Sequence, residues 1–562
     1  MRLAHAKTAT EGSSAQCVAK EGVNGASAAR SALCGKHRWL RALSIAAHGP
    51  TLRRKPSGFC AIATMSARQP HRTMLPAPMT TALRELEALL GPARAITKRD
   101  ALLAYECDGF TIHRHPPLAV VFPESTAEVQ SVLRILHRHR IPFVPRGAGT
   151  CLSGGPTPVS PAVVVELARM RKVLEVDPID RSAVVQPGVV NLDLTTHVKH
   201  LALHYAPDPS SQSVCTIGGN VAENSGGPHC FKYGMTVDHL LGATVVLPDG
   251  EIAELGGDAS PRPPHGFDLL GVFCGSEGTF GICTEIRVRL STDQPAVRTL
   301  LASFGDMTSA CRAVSDIVGK GLVPAALEIL DQATIRAVEA SVYKAGYPED
   351  AAAVLLVELD GDAEALHEEA IEVREVFASR GALRVEEATD PKERLRLWKG
   401  RKGAFGAMGR LSTDLYVLDG VVPRTCLVEA LEGISAIGKK HGVVLTNVFH
   451  AGDGNLHPNI SYDGRNADET ARVVAAGHEI LQLCIDLGGS ISGEHGIGTE
   501  KLDHMPMMYR PQDLDVMARV RRAFDKDGLC NPGKVLPNRS ACAESQKWPA
   551  MVARVLGEQE GR

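Results

Sequence analysis

Between Asn447 and Asn459 the chain reads N-V-F-H-A-G-D-G-N-L-H-P-N, with His450 and His457 on either side of Asp453-Gly454. An Asp-Gly pair between apolar runs signals a hairpin, because both residues tolerate positive φ. A turn centred on that pair sets His450 opposite His457 and Val448 opposite Asn459. Side chains two apart on a strand share a face, so His450, His457 and Asn459 should form one polar cluster. Two facing imidazoles suit a divalent ion of the zinc or manganese kind better than magnesium. Two nitrogens are too few to hold it. The third ligand is expected in the second polar constellation, G-S-I-S-G-E-H-G-I-G from Gly489 to Gly498. There Glu494 reads as a ligand and His495 as a general base beside the ion, between glycines that let backbone approach closely. One histidine pair alone could merely satisfy turns; the second glycine-framed Glu-His favours the metal reading.

A second chemistry is written further upstream. Arg146-Gly-Ala-Gly-Thr-Cys-Leu-Ser-Gly-Gly155 follows a predicted strand, Phe143-Val144-Pro145. Its Gly147, Ala148, Gly149, Thr150 and Ser153 offer backbone N–H groups and hydroxyls that can cradle a phosphate. It is neither the dinucleotide fingerprint nor a Walker loop, since Leu152 stands where a third glycine belongs and no Gly-Lys-Ser/Thr follows. Further small, polar segments follow: Tyr205-Ala-Pro-Asp-Pro-Ser-Ser with Pro209 and Ser210; Thr216 to Gly227 with Gly218, Gly219, Asn220, Asn224, Ser225, Gly226 and Gly227; Lys232-Tyr233-Gly234; and Gly275 to Ile282 with Glu277, Gly281 and Ile282. Turns alone do not require so many.

The elements that must position these groups alternate strand and helix. Ala82 to Leu90 reads as an amphipathic helix and Ala119 to Phe122 as a buried strand. A helix capped at Ser125 or Thr126 then carries Val129, Val132, Leu133 and Leu136 at helical spacing. Strands are predicted at Ala162 to Leu167, Ala183 to Gln186, Leu241 to Leu247 and Thr284 to Leu290, with a turn at Pro248-Asp249-Gly250. The Gly-Gly segments around 216–227 read as turns. After Pro295 come strand Thr299 to Phe304, helix Met307 to Val318, strands Ala326 to Leu330 and Ala353 to Glu358, and helix Ala363 to Ala378. That is the alternation of a ferredoxin-like layer. Helices follow from Pro423 to near Gly442, from Ala471 to Leu487 and from Pro511 to Phe524. His113 and His115 read as surface residues.

The ordered motifs P-R-G-A-G-T-C-L-S-G-G, Y-A-P-D-P-S-S, I-G-G-N-V-A-E-N-S-G-G, K-Y-G and G-S-E-G-T-F-G-I resemble the FAD-binding domain of the vanillyl-alcohol oxidase type. W-K-G-R-K-G-A-F, N-V-F-H-A-G-D-G-N-L-H-P, G-G-S-I-S-G-E-H-G-I-G and N-P-G-K resemble the matching FAD-linked oxidase C-terminal domain, and within it the glycolate oxidase D-subunit and D-lactate dehydrogenase family. The resemblance implies an α+β fold: two subdomains gripping FAD over 81–293, then an antiparallel-sheet cap with a C-terminal helical segment over 294–540, and a tail over 541–562. It implies pyrophosphate over Arg146 to Ser153 and isoalloxazine near Asn224 to Gly227 and Asn531. It makes His450, His457 and Glu494 the ligands of a divalent metal, His495 the base, Arg401 the carboxylate anchor and Asn459 a substrate contact. A solvated face of the cationic run Lys399 to Lys402 is the plainer account of Arg401. No histidine stands at the family's covalent-attachment position, so the flavin is expected to be non-covalent. The hydroxyglutarate branch uses a lysine where this chain has Leu418, which favours a small monocarboxylate. The implied reaction is oxidation of glycolate or D-lactate, with D-2-hydroxyglutarate as the alternative.

The length of 562 residues implies more than one folding unit, and a net charge of −3 with no basic aromatic stripe gives no sign of a nucleic-acid partner. No apolar run is long enough for a transmembrane segment. The 14 cysteines include no C-x-x-C pair, which argues against a zinc ribbon or an iron–sulfur cluster in this chain and fits a reducing compartment. The family resemblance therefore implies an external electron acceptor, either iron–sulfur and flavin companion subunits or a quinone-linked partner. The expected location is cytoplasmic, peripheral at the inner membrane. Residues 1 to 80 carry twelve Lys and Arg against Glu11 and Glu21 alone. They read as a transit-type leader, which would make the protein mitochondrial, or as sequence ahead of a later start at Met65, Met74 or Met79; the second is favoured.

Overall fold

The computed structural model describes residues 77–256 and 266–537, so the readings of the leader and of the tail lie outside the described residues. The first subdomain is a four-stranded sheet in the order Ala95–Ile96, Ala119–Val121, Val163–Glu166, Phe143–Arg146, with the last three parallel. The helix Thr126–Arg138 packs Val129, Val132, Leu133 and Leu136 on it. Ser125 caps that helix by accepting from the Glu128 N–H, as the sequence implies. The second subdomain is a five-stranded antiparallel sheet, Val173–Asp177, Ser182–Val185, Ile282–Arg289, Leu240–Val246, Ile252–Gly256. Its core includes Ile217 and Val221 of the helix Ile217–Glu223. That helix stands where the sequence reads as Gly-Gly turns. Thr216 caps it by accepting from the Gly219 N–H, so the glycines begin a helix instead of closing a turn.

The cap is a nine-stranded sheet, antiparallel at every pairing. One part has the order Arg384–Glu387, Ala296–Phe304, Ala353–Gly361, Ala326–Asp331, with the helices Met307–Gly319 and Ala363–Ser379 packed on it. This is the ferredoxin-like order. The sheet then continues through Val444–His450 into a second strand–helix set, ending in the helix Ala467–Asp486. Asp306 and Asp362 cap their helices through side-chain oxygens.

The hairpin register differs from the sequence reading. His450 stands opposite Asn455, Asn447 opposite Pro458, and Thr446, not Val448, opposite Asn459. Only Gly454 of the Asp-Gly pair takes a positive φ, +74°. Tertiary hydrogen bonds set the turn: Leu327 O accepts from Ala451 N–H, and Gly454 O accepts from Val422 N–H. Each residue's partner moves by two, an even slip. Side-chain alternation therefore survives, and His450 still meets His457, with ring centroids 5.2 Å apart.

Candidate active site

A cavity of about 490 Å³ runs between the two FAD-side subdomains and the cap. The loop Arg146 to Thr150 forms one wall, and Pro209, Ser210, Gly218, Gly219, Asn220, Ser225, Glu277, Gly281 and Ile282 also line it. A Cβ on Gly147 would come within 2.5 Å of Thr216 Oγ1, so the loop can lie on the N-terminus of the Ile217–Glu223 helix only as glycine. Loop N–H groups beside a helix N-terminus, in a largely apolar cleft, fit a dinucleotide with a pyrophosphate.

Seven expected cofactor contacts do not line this cavity. Ser153 donates to His495 O and its carbonyl accepts from Thr499 N–H, tying the loop to the cap. Asn531 donates to Gly155 O and Glu277 O. Asn224 ends the helix in the left-handed region and accepts from Val237 N–H. Gly226 and Gly227 pass beside Glu494 and Asp208. Tyr233 donates to the Asp360 carboxylate of the cap, and Gly234 terminates its short helix. The K-Y-G motif is therefore a contact between domains. Motif order could not separate that role from a cofactor contact.

At the cap end of the cavity lie Glu494 and His495. His450 Nε2 and His457 Nε2 each stand 3.3 Å from Glu494 Oε1. All three residues are more than four-fifths buried, and their ligand atoms lie within 4.8 Å of one another. Both Nδ1 atoms face away: that of His450 toward Glu328 Oε1 at 2.7 Å, that of His457 toward Leu418 O at 3.2 Å. Those acceptors hold a proton on each Nδ1 and turn both Nε2 atoms toward one carboxylate, a mixed N/O donor set that fits a divalent ion displacing any proton on Nε2. Burial alone would lower the His450 pKa, but Glu328 and Glu494 raise it to about 10. Burial would raise that of Glu494, but the two imidazoles hold it well below the usual carboxylate range. His495 stacks on His457, 4.9 Å between ring centroids, and burial pushes its pKa down to about 4. Its Nδ1 is buried without a partner.

Arg401 is not on a solvated face. It is 1% exposed, and its Nε donates to Glu328 Oε2 at 2.5 Å; Lys399 and Lys402 take the exposed positions. Its Nη1 is buried and unpartnered. Asn459 is buried, and its Nδ2 donates to His457 O, so it braces the hairpin; its Oδ1 is unpartnered. Leu418 points into the cap core against the helix of Gly477, and from its strand Leu415 and Val417 line the cavity instead. His113 is not a surface residue, because it packs on Phe110 and bonds Thr499 Oγ1; His115 is half-buried, with Nδ1 enclosed.

The sequence reading missed several groups. Asp419 accepts from the N–H groups of Gly493 and His495 and from Lys501 Nζ. Glu328 joins His450 to Arg401. Lys402 lines the cavity beside Asp208. The signal for Glu328 was a single acid inside the apolar strand A-L-E-I-L.

Residues 293–535 match the family described as FAD linked oxidases, C-terminal domain, and residues 117–256 match the FAD binding domain. The chain is 47% identical over 445 residues to glycolate oxidase subunit GlcD of Escherichia coli (strain K12), covering 79% of this chain and 89% of that one. The chain belongs to the FAD-linked oxidase family. The GlcD subunit of Bacillus subtilis (strain 168) is 38% identical, covering 80% and 96%. A D-lactate dehydrogenase of Anaerostipes hadrus is 33% identical, covering 75% and 89%. Among solved structures, p-cresol methylhydroxylase superposes with a TM-score of 0.71 at 19% identity, over 83% of this chain and 98% of that one, which speaks to the fold alone. The protein is thus an FAD-dependent oxidoreductase of the vanillyl-alcohol oxidase fold. No helix among the described residues is long and apolar enough to cross a membrane.

Proposed function

We propose that this FAD-linked oxidase converts a short D-2-hydroxy acid, glycolate or D-lactate, to its 2-oxo acid. The observation that carries the reading is convergence: Glu494 and His495 line the FAD-side cavity, and Glu494 stands at the centre of the His450–His457 pair. When bound, the non-covalent FAD accepts a hydride and a divalent ion, zinc or manganese, lowers the pKa of the substrate hydroxyl. His450, His457 and Glu494 would hold that ion. His495, neutral and facing the cavity, removes the hydroxyl proton. Arg401, whose buried Nη1 is unpartnered, anchors the carboxylate. Phe405, Leu415 and Val417 make part of the wall apolar and offer a second carboxylate no partner, Lys402 being the cation that lines the same cavity.

Lys402 is the one observation favouring a dicarboxylate, and a D-2-hydroxyglutarate dehydrogenase of Stutzerimonas stutzeri (strain A1501) is 31% identical. Anaerobic flavin bleaching by glycolate, D-lactate, L-lactate and D-2-hydroxyglutarate decides between them. Fast bleaching by glycolate or D-lactate is expected; bleaching by D-2-hydroxyglutarate alone would reverse the assignment. Denaturation should release intact FAD, and protein that stays colourless after reconstitution would sink the reading. The family's GlcD members are named as subunits, which supports transfer of electrons to companion iron–sulfur and flavin subunits or to a quinone-linked acceptor at the inner membrane surface. Dye reduction by the isolated chain with slow oxygen turnover is the expected result, and fast turnover with oxygen alone would remove the need for a partner.

A further inference from the structure

Glu328 is wholly buried in the middle of the strand Ala326–Asp331, and its neighbours Leu327 and Ile329 are equally enclosed. A carboxylate in such a setting is costly unless every oxygen is used. Both are. Oε1 accepts from His450 Nδ1 at 2.7 Å, and Oε2 accepts from Arg401 Nε at 2.5 Å. The strand register places it there, because Glu328 lies directly across the ladder from His450. One carboxylate thus touches both a residue assigned to the metal and the residue assigned to the substrate carboxylate, and it lines no part of the cavity itself.

We propose that Glu328 is the positioning residue of the site: it keeps a proton on His450 Nδ1, so that Nε2 is the nitrogen free to exchange its proton for an ion beside Glu494, and it holds the Arg401 fork in place. The inference rests on the reading of His450, His457 and Glu494 as a metal site. A carboxylate can only accept, so the proton between it and His450 sits on Nδ1. Arg401 NH2, 3.5 Å from the same Nδ1, cannot supply that proton's acceptor. In Glu328→Gln the amide oxygen goes to the charged Arg401 donor and the amide N–H faces His450 Nδ1. The ring must then accept there, and its proton moves to Nε2, the nitrogen the ion needs.

The test is metal affinity in protein that retains FAD. Wild type, E328Q and R401M are stripped with chelator, checked by the visible flavin spectrum, and titrated with zinc and with manganese. E328Q should bind zinc about 10- to 100-fold more weakly. R401M should keep its zinc affinity and raise KM for the hydroxy acid. Wild-type affinity in E328Q overturns the proposal and leaves the metal reading standing. An equal zinc loss in R401M also overturns it, since Glu328 would then matter only as a partner of the arginine. Absence of any zinc or manganese site in wild type removes the metal reading and this proposal together. If E328Q does not fold because Arg401 is left alone, the E328Q/R401M double variant has no stranded charge. It should bind zinc more weakly than R401M, and equal binding overturns the proposal.

Discussion

Burial pushes the His495 pKa down to about 4, so the imidazole is neutral near pH 7 and can receive a proton. Its ring is fixed by stacking on His457, and its Nδ1 has no protein partner. His495→Asn should therefore slow flavin reduction by about 10²- to 10⁴-fold while FAD and substrate still bind. Stopped-flow bleaching with a substrate titration measures both, and a near-normal rate would place the base elsewhere. His457→Ala should lower metal content and turnover with FAD retained; turnover that survives thorough chelation would contradict that assignment. The two histidines and the Glu-His pair were legible in the sequence because polar residues framed by glycine stand out. Glu328 was not, because one acid in a buried strand acquires meaning only from its cross-strand partner. The bond from Tyr233 to Asp360 was not legible either, because an ordered motif looks alike whether it touches a cofactor or another domain.

The segment Gly489–Gly498 contains no helix, so hydrogen bonds from outside must hold it. Asp419 gathers the N–H groups of Gly493, Glu494 and His495, and Glu277 accepts from Ile497 and Gly498 N–H. Gly498 has φ +52°, and a Cβ there would meet Ser153 O at 2.0 Å. The network holds Asp419 ionised: burial would raise its pKa, but His495 and Lys501 draw it far below the usual range. Asp419→Asn removes the nearer of the two carboxylates beside the buried Lys501, Glu500 at 3.8 Å being the other, and should cost about 3–5 kcal/mol. Denaturant midpoints measure that cost, and metal content should fall along with it; a variant with full stability and full metal would show that the loop is held otherwise. The helix capped at Ser125 was legible from its cap and its apolar spacing. The hairpin register was not, because a carbonyl on Leu327, far away in sequence, chooses the turn.

The two matched domains are joined by His229, which lies between Asp208 at 2.9 Å on its own side and Glu358 at 3.2 Å on the cap, and stacks on Trp398. Lys232 and Tyr233 add a second grip on Asp360. The family matches over 117–256 and 293–535 follow the order of the motifs, but this clasp was not legible, since His229 and Glu358 are 129 residues apart. It makes the whole molecule's stability pH-dependent. Burial alone would lower the His229 pKa, but Asp208 and Glu358 raise it from 6.5 to about 10. Both carboxyl groups are held below their ordinary values by this histidine and by Lys402 and Arg394, so they stay ionised across that range. A folded pKa above the unfolded one means the folded state binds the extra proton. The stabilisation is therefore complete below about pH 6.5, declines as pH rises, and is gone near pH 10. The difference in melting temperature between wild type and His229→Gln should be largest at the acidic end and close progressively toward the alkaline end. A difference that stays constant across the range would mean that packing on Trp398, and not the charge, joins the domains.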